Sequence, residues 1–206
     1  MVLFNQRSTK LKGEYKDMNY FIADLHFGHK NVLSFDARPF KTIEDHDVIL
    51  ITNWNDTVGL DDDVYILGDI SWYNATKTIE IFKQLNGKKH LIAGNHDSKL
   101  IKNKELQKEF EEICDYKELD IGKGNICVLS HYPIPCFKSH YYGAYHLYGH
   151  VHNSFEWNMM KRFKYEMEEL YEKPCNMYNV GCMIEYIGYR PRTLEEIINA
   201  NIVKSK

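Results

Sequence analysis

Seven side chains with lone pairs to offer share one recurring setting. Asp24, His26, Asp69, Asn95, His131, His150 and His152 each follow a short apolar run. Four bring imidazole nitrogen, two bring carboxylate oxygen and one brings amide oxygen. Such donors, with no thiolate among them, suit Zn, Mn, Fe, Ni or Co. If one carboxylate bridges, seven ligands give four contacts to each of two ions. Two ions ~3.5–4 Å apart form a site for in-line attack on phosphorus. The densest stretch is Gly94-Asn95-His96-Asp97, where a turn former, an amide, an imidazole and a carboxylate occupy four consecutive positions.

Taken singly, most of these residues have ordinary structural readings. Gly68-Asp69 after a strand is common turn chemistry. Asp97 can cap the next helix, and a lone His131 can be a hydrogen-bonded core or surface histidine. His150 and His152 are harder to set aside, because alternation puts both rings on one face of an extended backbone. The joint pattern favours a metal centre over seven separate coincidences.

The elements that must position these groups are legible as apolar runs. Tyr20-Phe21-Ile22-Ala23, Val64 to Leu67, His90 to Ala93, Ile126 to Leu129 and Tyr145 to Tyr148 read as buried strands. In α/β architectures, ligands gather at the carboxyl ends of strands. Residues 42–58 have a helical apolar face with Thr42 as N-cap. Asn74 caps a second helix over 75–85, which Asn86-Gly87 stops. A polar helical segment is expected around 99–112, a longer helix over 155–173, and one or two strands between Asn176 and Tyr189. Thr193-Leu194-Glu195-Glu196 is a capping box for a short terminal helix. Phe155, Met159, Met160, Phe163 and Met167 predict a core-facing or dimer-facing face on the 155–173 helix rather than a lid.

Composition bounds the rest. The 206 residues suit one domain, read as 18–206, with 1–17 as an extension and Met18 as an alternative start. A net charge of −3 gives no global basis for a nucleic-acid or membrane partner, although a local basic groove is compatible with it. There is no apolar run of membrane-spanning length and no apolar signal-peptide core at the N-terminus, so a soluble, cytoplasmic protein is expected. The five cysteines include no Cys-x-x-Cys pair, which argues for free thiols rather than a disulfide framework or thiolate zinc site.

The order Asp-x-His, Gly-Asp, Gly-Asn-His-Asp, His, Gly-His-x-His resembles the calcineurin-like metallophosphoesterases, and the smaller bacterial-type enzymes among them. The resemblance covers residues 18–190. It implies an α/β fold: a four-layer α/β/β/α sandwich of two mixed β-sheets flanked by helices. It implies that Asp24, His26, Asp69 and His152 hold one metal ion, manganese among the candidates. Asp69, Asn95, His131 and His150 would hold a second, with Asp69 bridging. It further implies that His96 stays off the metals and acts as general acid or electrostatic stabiliser, while a water bridging the ions is the nucleophile.

This chain departs from the protein Ser/Thr phosphatases of that superfamily. Where they carry an Asp-Arg pair that orients the catalytic histidine and grips phosphate, it has Trp72 and Tyr73. Asp97 is then the candidate orienter of His96. His29 and Arg38 are the candidates for the phosphate grip, with Arg190 and Arg192 as further options. The ordinary readings are a loop histidine for His29 and a surface arginine beside a core Phe40 for Arg38. The loop containing Tyr132, Phe137, His140, Tyr141, Tyr142, Tyr145 and His146 either stacks a base or covers the core. The expected activity is hydrolysis of a small phosphomonoester or phosphodiester, with a nucleotide as one candidate. The alternatives are a nuclease using the same metal site, disfavoured by the short acidic chain, and a non-catalytic binding scaffold, disfavoured by the complete ligand set.

Overall fold

A computed structural model describes residues 17–202. The expectation for residues 1–17 therefore lies outside the described residues, apart from Asp17. Two mixed sheets organise the chain. The first contains β1 (Asn19–Ile22), β2 (Asp63–Ile66), β3 (Lys88–Ile92) and β4 (Glu112–Cys114), all parallel, and β9 (Arg192–Thr193), antiparallel on β1. Its order is β4-β3-β2-β1-β9. The second contains β5 (Tyr116–Gly122), β6 (Asn125–Ser130), β7 (Tyr145–Tyr148) and β8 (Met177–Asn179) in that order, with only the β5–β6 pair antiparallel.

Burial on both faces explains the unbroken apolar runs. Cys127 and Leu129 of β6 join the cluster shared with Phe21, Ile66 and Leu91 of the first sheet. Val128, between them, points the other way, into a second cluster. That second cluster is closed by α5 (Phe155–Tyr171) through Trp157, Met160, Phe163 and Met167. Phe155 and Met159, expected on the same face, are exposed instead. On the first sheet, α2 (Ile43–Thr57) buries Ile43, Leu50 and Trp54, and α3 (Ala75–Phe82) buries Ile81 and Phe82. The capping expectations hold. Thr42 accepts from the Asp45 amide, Asn74 accepts from the Lys77 amide, and Thr193 and Glu196 exchange reciprocal bonds. The last pair opens α6 (Leu194–Ile202).

Three stretches differ from expectation. The polar segment after β3 is a 3₁₀ turn over Asp97–Lys102 followed by α4 (Lys104–Gln107), which Asn103 caps. It then gives way to edge strand β4. Strand β5 has no sequence expectation, because only alternate residues such as Leu119 and Ile121 turn inward from an otherwise polar edge. Between Asn176 and Tyr189, β8 is the strand; the chain after Gly181 runs through turns. A one-turn helix, α1 (Val32–Phe35), lies in the loop after β1.

The sheets converge at the carboxyl end of β1. There Ala23 bridges to Gly181, giving its carbonyl to Cys182 and taking that of Val180. The next residue is Asp24, so the junction of the two sheets is also where the polar strand ends meet. Among the described residues, no helix is long and apolar enough to cross a membrane.

Candidate metal centre

Each sequence-selected donor lies just beyond a strand, and the five loops bring them together. Ligand atoms of Asp24, His26, Asp69 and His152 lie within 4.8 Å of one another. The Nε2 atoms of His26 and His152 are 3.1 Å apart, and each is 3.7 Å from a carboxylate oxygen, of Asp69 and Asp24 respectively. A second group shares Asp69. Its Oδ1 lies 3.7 Å from His131 Nε2, and Asn95 Oδ1 lies 2.9 Å from His131 Nε2 and 3.1 Å from His150 Nδ1.

The backbone is bent to make this convergence. Asp24, His26, Asp69, His150 and His152 all have φ between 47° and 68°, the left-handed region that side chains with a Cβ seldom adopt. Each such residue costs roughly 1 kcal/mol or more and persists only where its surroundings hold it. Here the holders are identifiable. The Asp24 amide donates to Gly68 and the His26 amide to Asp69, while the His150 amide donates to the Asp24 carboxylate. The His96 amide donates to Asp69 Oδ1. Gly94 is required for space rather than for φ, because a Cβ there would collide with the Asp69 carboxylate.

The imidazole tautomers suit ligation. His131 Nδ1 donates to the Leu67 carbonyl and His152 Nδ1 to Asp36, which leaves each Nε2 lone pair aimed inward. Burial, reinforced by neighbouring His152 and Arg38, holds His26 well below the usual imidazole range. Burial and then His131 lower His150. For His152, burial opposes the proton, but the bond to Asp36 and the Asp24 charge outweigh it and raise the group. Burial raises Asp69 against the pull of His131. Two Nε2 atoms face each other beside two carboxylates, and the buried Nδ1 of His26 has no hydrogen-bond partner. This donor set fits divalent ions.

The other sequence-selected residues fall in different places. The His96 ring is half exposed, with Nε2 4.0 Å from Asp69. It opens onto a groove of about 710 Å³ lined by Trp72, Asn95, Lys99 and Asn103. Asp97 is fully buried, and its carboxylate accepts from the amides of Asp69, Ile70 and Gly94. It therefore ties the β2 loop to the β3 loop, which corrects the expectation that it orients the His96 ring. Arg38 is only 3 % exposed and faces inward, so the phosphate-grip expectation is corrected too. Its guanidinium is taken up by Asp36, His46 and the carbonyls of Asp24 and Leu25. His29 stacks face to face on Trp72 at 3.8 Å and 3°. Trp72 also leans on His26 and His96 and so walls the centre on that side. Of the aromatic loop, Tyr132 reaches the site, against His150. Phe137 and His146 belong to the packed interior. Asp36, whose carboxylate receives His152 Nδ1, was not singled out in the sequence, for nothing in its loop context marks it.

Comparison with known proteins places these features in context. A family model described as calcineurin-like phosphoesterase matches residues 20–180. An uncharacterised protein of Methanocaldococcus jannaschii is 44% identical over 80 residues, 38% of this chain and 46% of that protein. The gene 66 protein of Mycobacterium phage L5 is 32% identical over 130 residues, 55% of this chain and 62% of that protein. The match thus spans less than two thirds of either relative. A crystal structure from Aquifex aeolicus, described as a protein of unknown function, superposes with a TM-score of 0.66 at 29% identity. It covers 90% of this chain and 100% of that one.

Proposed function

The chain belongs to the calcineurin-like phosphoesterase family, and from that premise we propose that it is a dinuclear metal-dependent phosphoesterase. Its substrate is a phosphomonoester or phosphodiester, with nucleotides in the candidate class. The observation that carries this reading is the pair of donor groups sharing Asp69: Asp24, His26 and His152 on one side, Asn95, His131 and His150 on the other. When bound, two divalent ions supply Lewis acidity and a water nucleophile available near neutral pH. The metal is one of Mn, Fe, Zn, Ni or Co on the chemistry of the donors.

The chain's own groups do the rest. Asp24 and Asp69 bring negative charge to the centre, and Asn95 completes a shell without adding any. His96 stands at the rim with Nε2 directed toward Asp69. From there it delivers a proton to the leaving oxygen or stabilises its charge. Trp72 shields His26 and His96 on one flank. Asp97 acts at one remove, by holding the Asp69 and Gly94 amides.

A nuclease using the same centre is the second reading. It is favoured by three exposed aromatics from separate loops, Phe35, Trp72 and Tyr132, each beside a histidine of the centre or its rim. Such faces can stack bases. The deciding experiment compares p-nitrophenyl phosphate, bis-p-nitrophenyl phosphate, single-stranded DNA and RNA with metal-loaded protein, with and without chelator. Chelator-sensitive turnover of the small esters supports the phosphoesterase. Strand cleavage at rivalling rates supports the nuclease. No turnover of any substrate supports a binding scaffold.

A further inference from the structure

The buried Arg38–Asp36 pair lies outside both donor groups, yet touches two of the four members of the first, Asp24 and His152. Asp36 carries His152 on its carboxylate, with His152 Nδ1 2.9 Å from either oxygen. Arg38 holds Asp36 Oδ2 from behind through Nε at 2.9 Å and Nη2 at 2.8 Å. The same guanidinium donates to the carbonyl of Asp24 at 3.0 Å and of Leu25 at 3.2 Å. Those carbonyls belong to Asp24-Leu25-His26, in which the two outer residues are left-handed.

A buried charge pair is a poor stabilising device, because desolvation offsets much of the attraction. Its placement therefore calls for another account. Arg38 has its remaining Nη1 contacts on His46 Nε2 at 2.9 Å and the Cys182 sulfur at 3.2 Å. His46 is in turn held by Asp47, which also accepts from Tyr73 Oη and the Gly28 amide. The guanidinium is thus fixed on every side, and it cannot swing out to a substrate. What it can do is hold a strained turn and a histidine tautomer in register.

We propose that Asp36 and Arg38 are positioning residues for the ion held by Asp24, His26, Asp69 and His152. Asp36 fixes the proton of His152 on Nδ1 and so leaves Nε2 as the ligand atom. Arg38 locks Asp36 and the carbonyls of the strained Asp24–His26 turn. Carboxylates behind ligating histidines raise ligand basicity and fix ring orientation, and their loss typically weakens metal binding ~10–100-fold. This inference rests on the metal-dependent reading of the site.

The test is calorimetric titration of Mn²⁺ into chelator-stripped protein, wild type against Asp36→Asn and Arg38→Lys. The expected result is two ions bound by wild type, with one of them weakened ~10–100-fold in each variant and the other unchanged. A purely stabilising role would lower the melting temperature of metal-free protein while leaving both affinities at wild-type values, and that result overturns the inference. Wild type alone gives a second test, should the variants fail to fold. Nitrogen-15 imidazole NMR of the Zn²⁺-loaded protein should show the His152 proton on Nδ1, slow to exchange; a proton on Nε2 overturns the inference. If wild type binds no ion at all, the metal-dependent reading itself falls with it. Unaltered affinities in the variants remove only the role of Asp36 and Arg38.

Discussion

The Nε2 atoms of His26 and His152 stand 3.1 Å apart, brought together from positions 126 residues apart in the chain. The two imidazoles come from different sheets, one after β1 and the other after β7. Both sit on left-handed backbone. A fold that bends its backbone to bring two lone pairs and two carboxylates together offers a candidate cation site, and the proposed function has several measurable consequences.

His96→Ala should leave the metal content unchanged while kcat falls ~10²–10⁴-fold, the usual weight of a positioned acid–base group. Elemental analysis alongside steady-state kinetics checks this. Loss of metal would make His96 a ligand and overturn its role at the rim.

Asp97→Ala should be costly although Asp97 touches no proposed ligand donor atom through its side chain. Three backbone amides lose their acceptor. At ~1–3 kcal/mol for each buried donor left unsatisfied, stability should fall by about 3 kcal/mol or more. Urea denaturation of metal-free protein reads this directly.

Gly94→Ala should act on the centre rather than on the strand. The added methyl meets the Asp69 carboxylate and must displace it. Overpacking of this kind costs about 1–3 kcal/mol, and metal titration should show both ions weakened, because Asp69 is shared.

Acid should unfold the protein partly through a histidine remote from catalysis. His146 is buried, its Nε2 accepts from the Ile134 amide, and its Nδ1 donates to the Val128 carbonyl. Burial pushes its pKa down to about 4, against 6.5 for a free imidazole. The unfolded chain therefore binds a proton that the folded chain refuses between those values. Stability from this residue is full above pH 6.5 and declines as pH falls toward 4, by roughly 3 kcal/mol in all. The pH dependence of metal-free His146→Asn should be flatter over that window than that of wild type.

The donor set was legible because each member follows an apolar run that could only be a strand, and strand ends in α/β folds share one side. The two-sheet architecture was legible through the family resemblance carried by those same residues. What was not legible depends on contacts that chain order does not encode. Arg38 reads as a rim cation beside Pro39 and Phe40, yet it turns inward because Asp36 and two carbonyls await it. Asp97 reads as a partner for its neighbour His96, but three amides from two loops claim it. Strand β5 escaped notice because its outer face is polar and its inner face supplies few apolar residues.

The proposed activity is hydrolysis of phosphate esters with two ions whose ligand sets share Asp69. The most direct test is turnover of bis-p-nitrophenyl phosphate by chelator-stripped protein as Mn²⁺ is added back. Negligible turnover is expected without metal, with activity that rises until two equivalents are bound. Absence of turnover with Mn, Fe, Co, Ni or Zn, from neutral to alkaline pH, would contradict it.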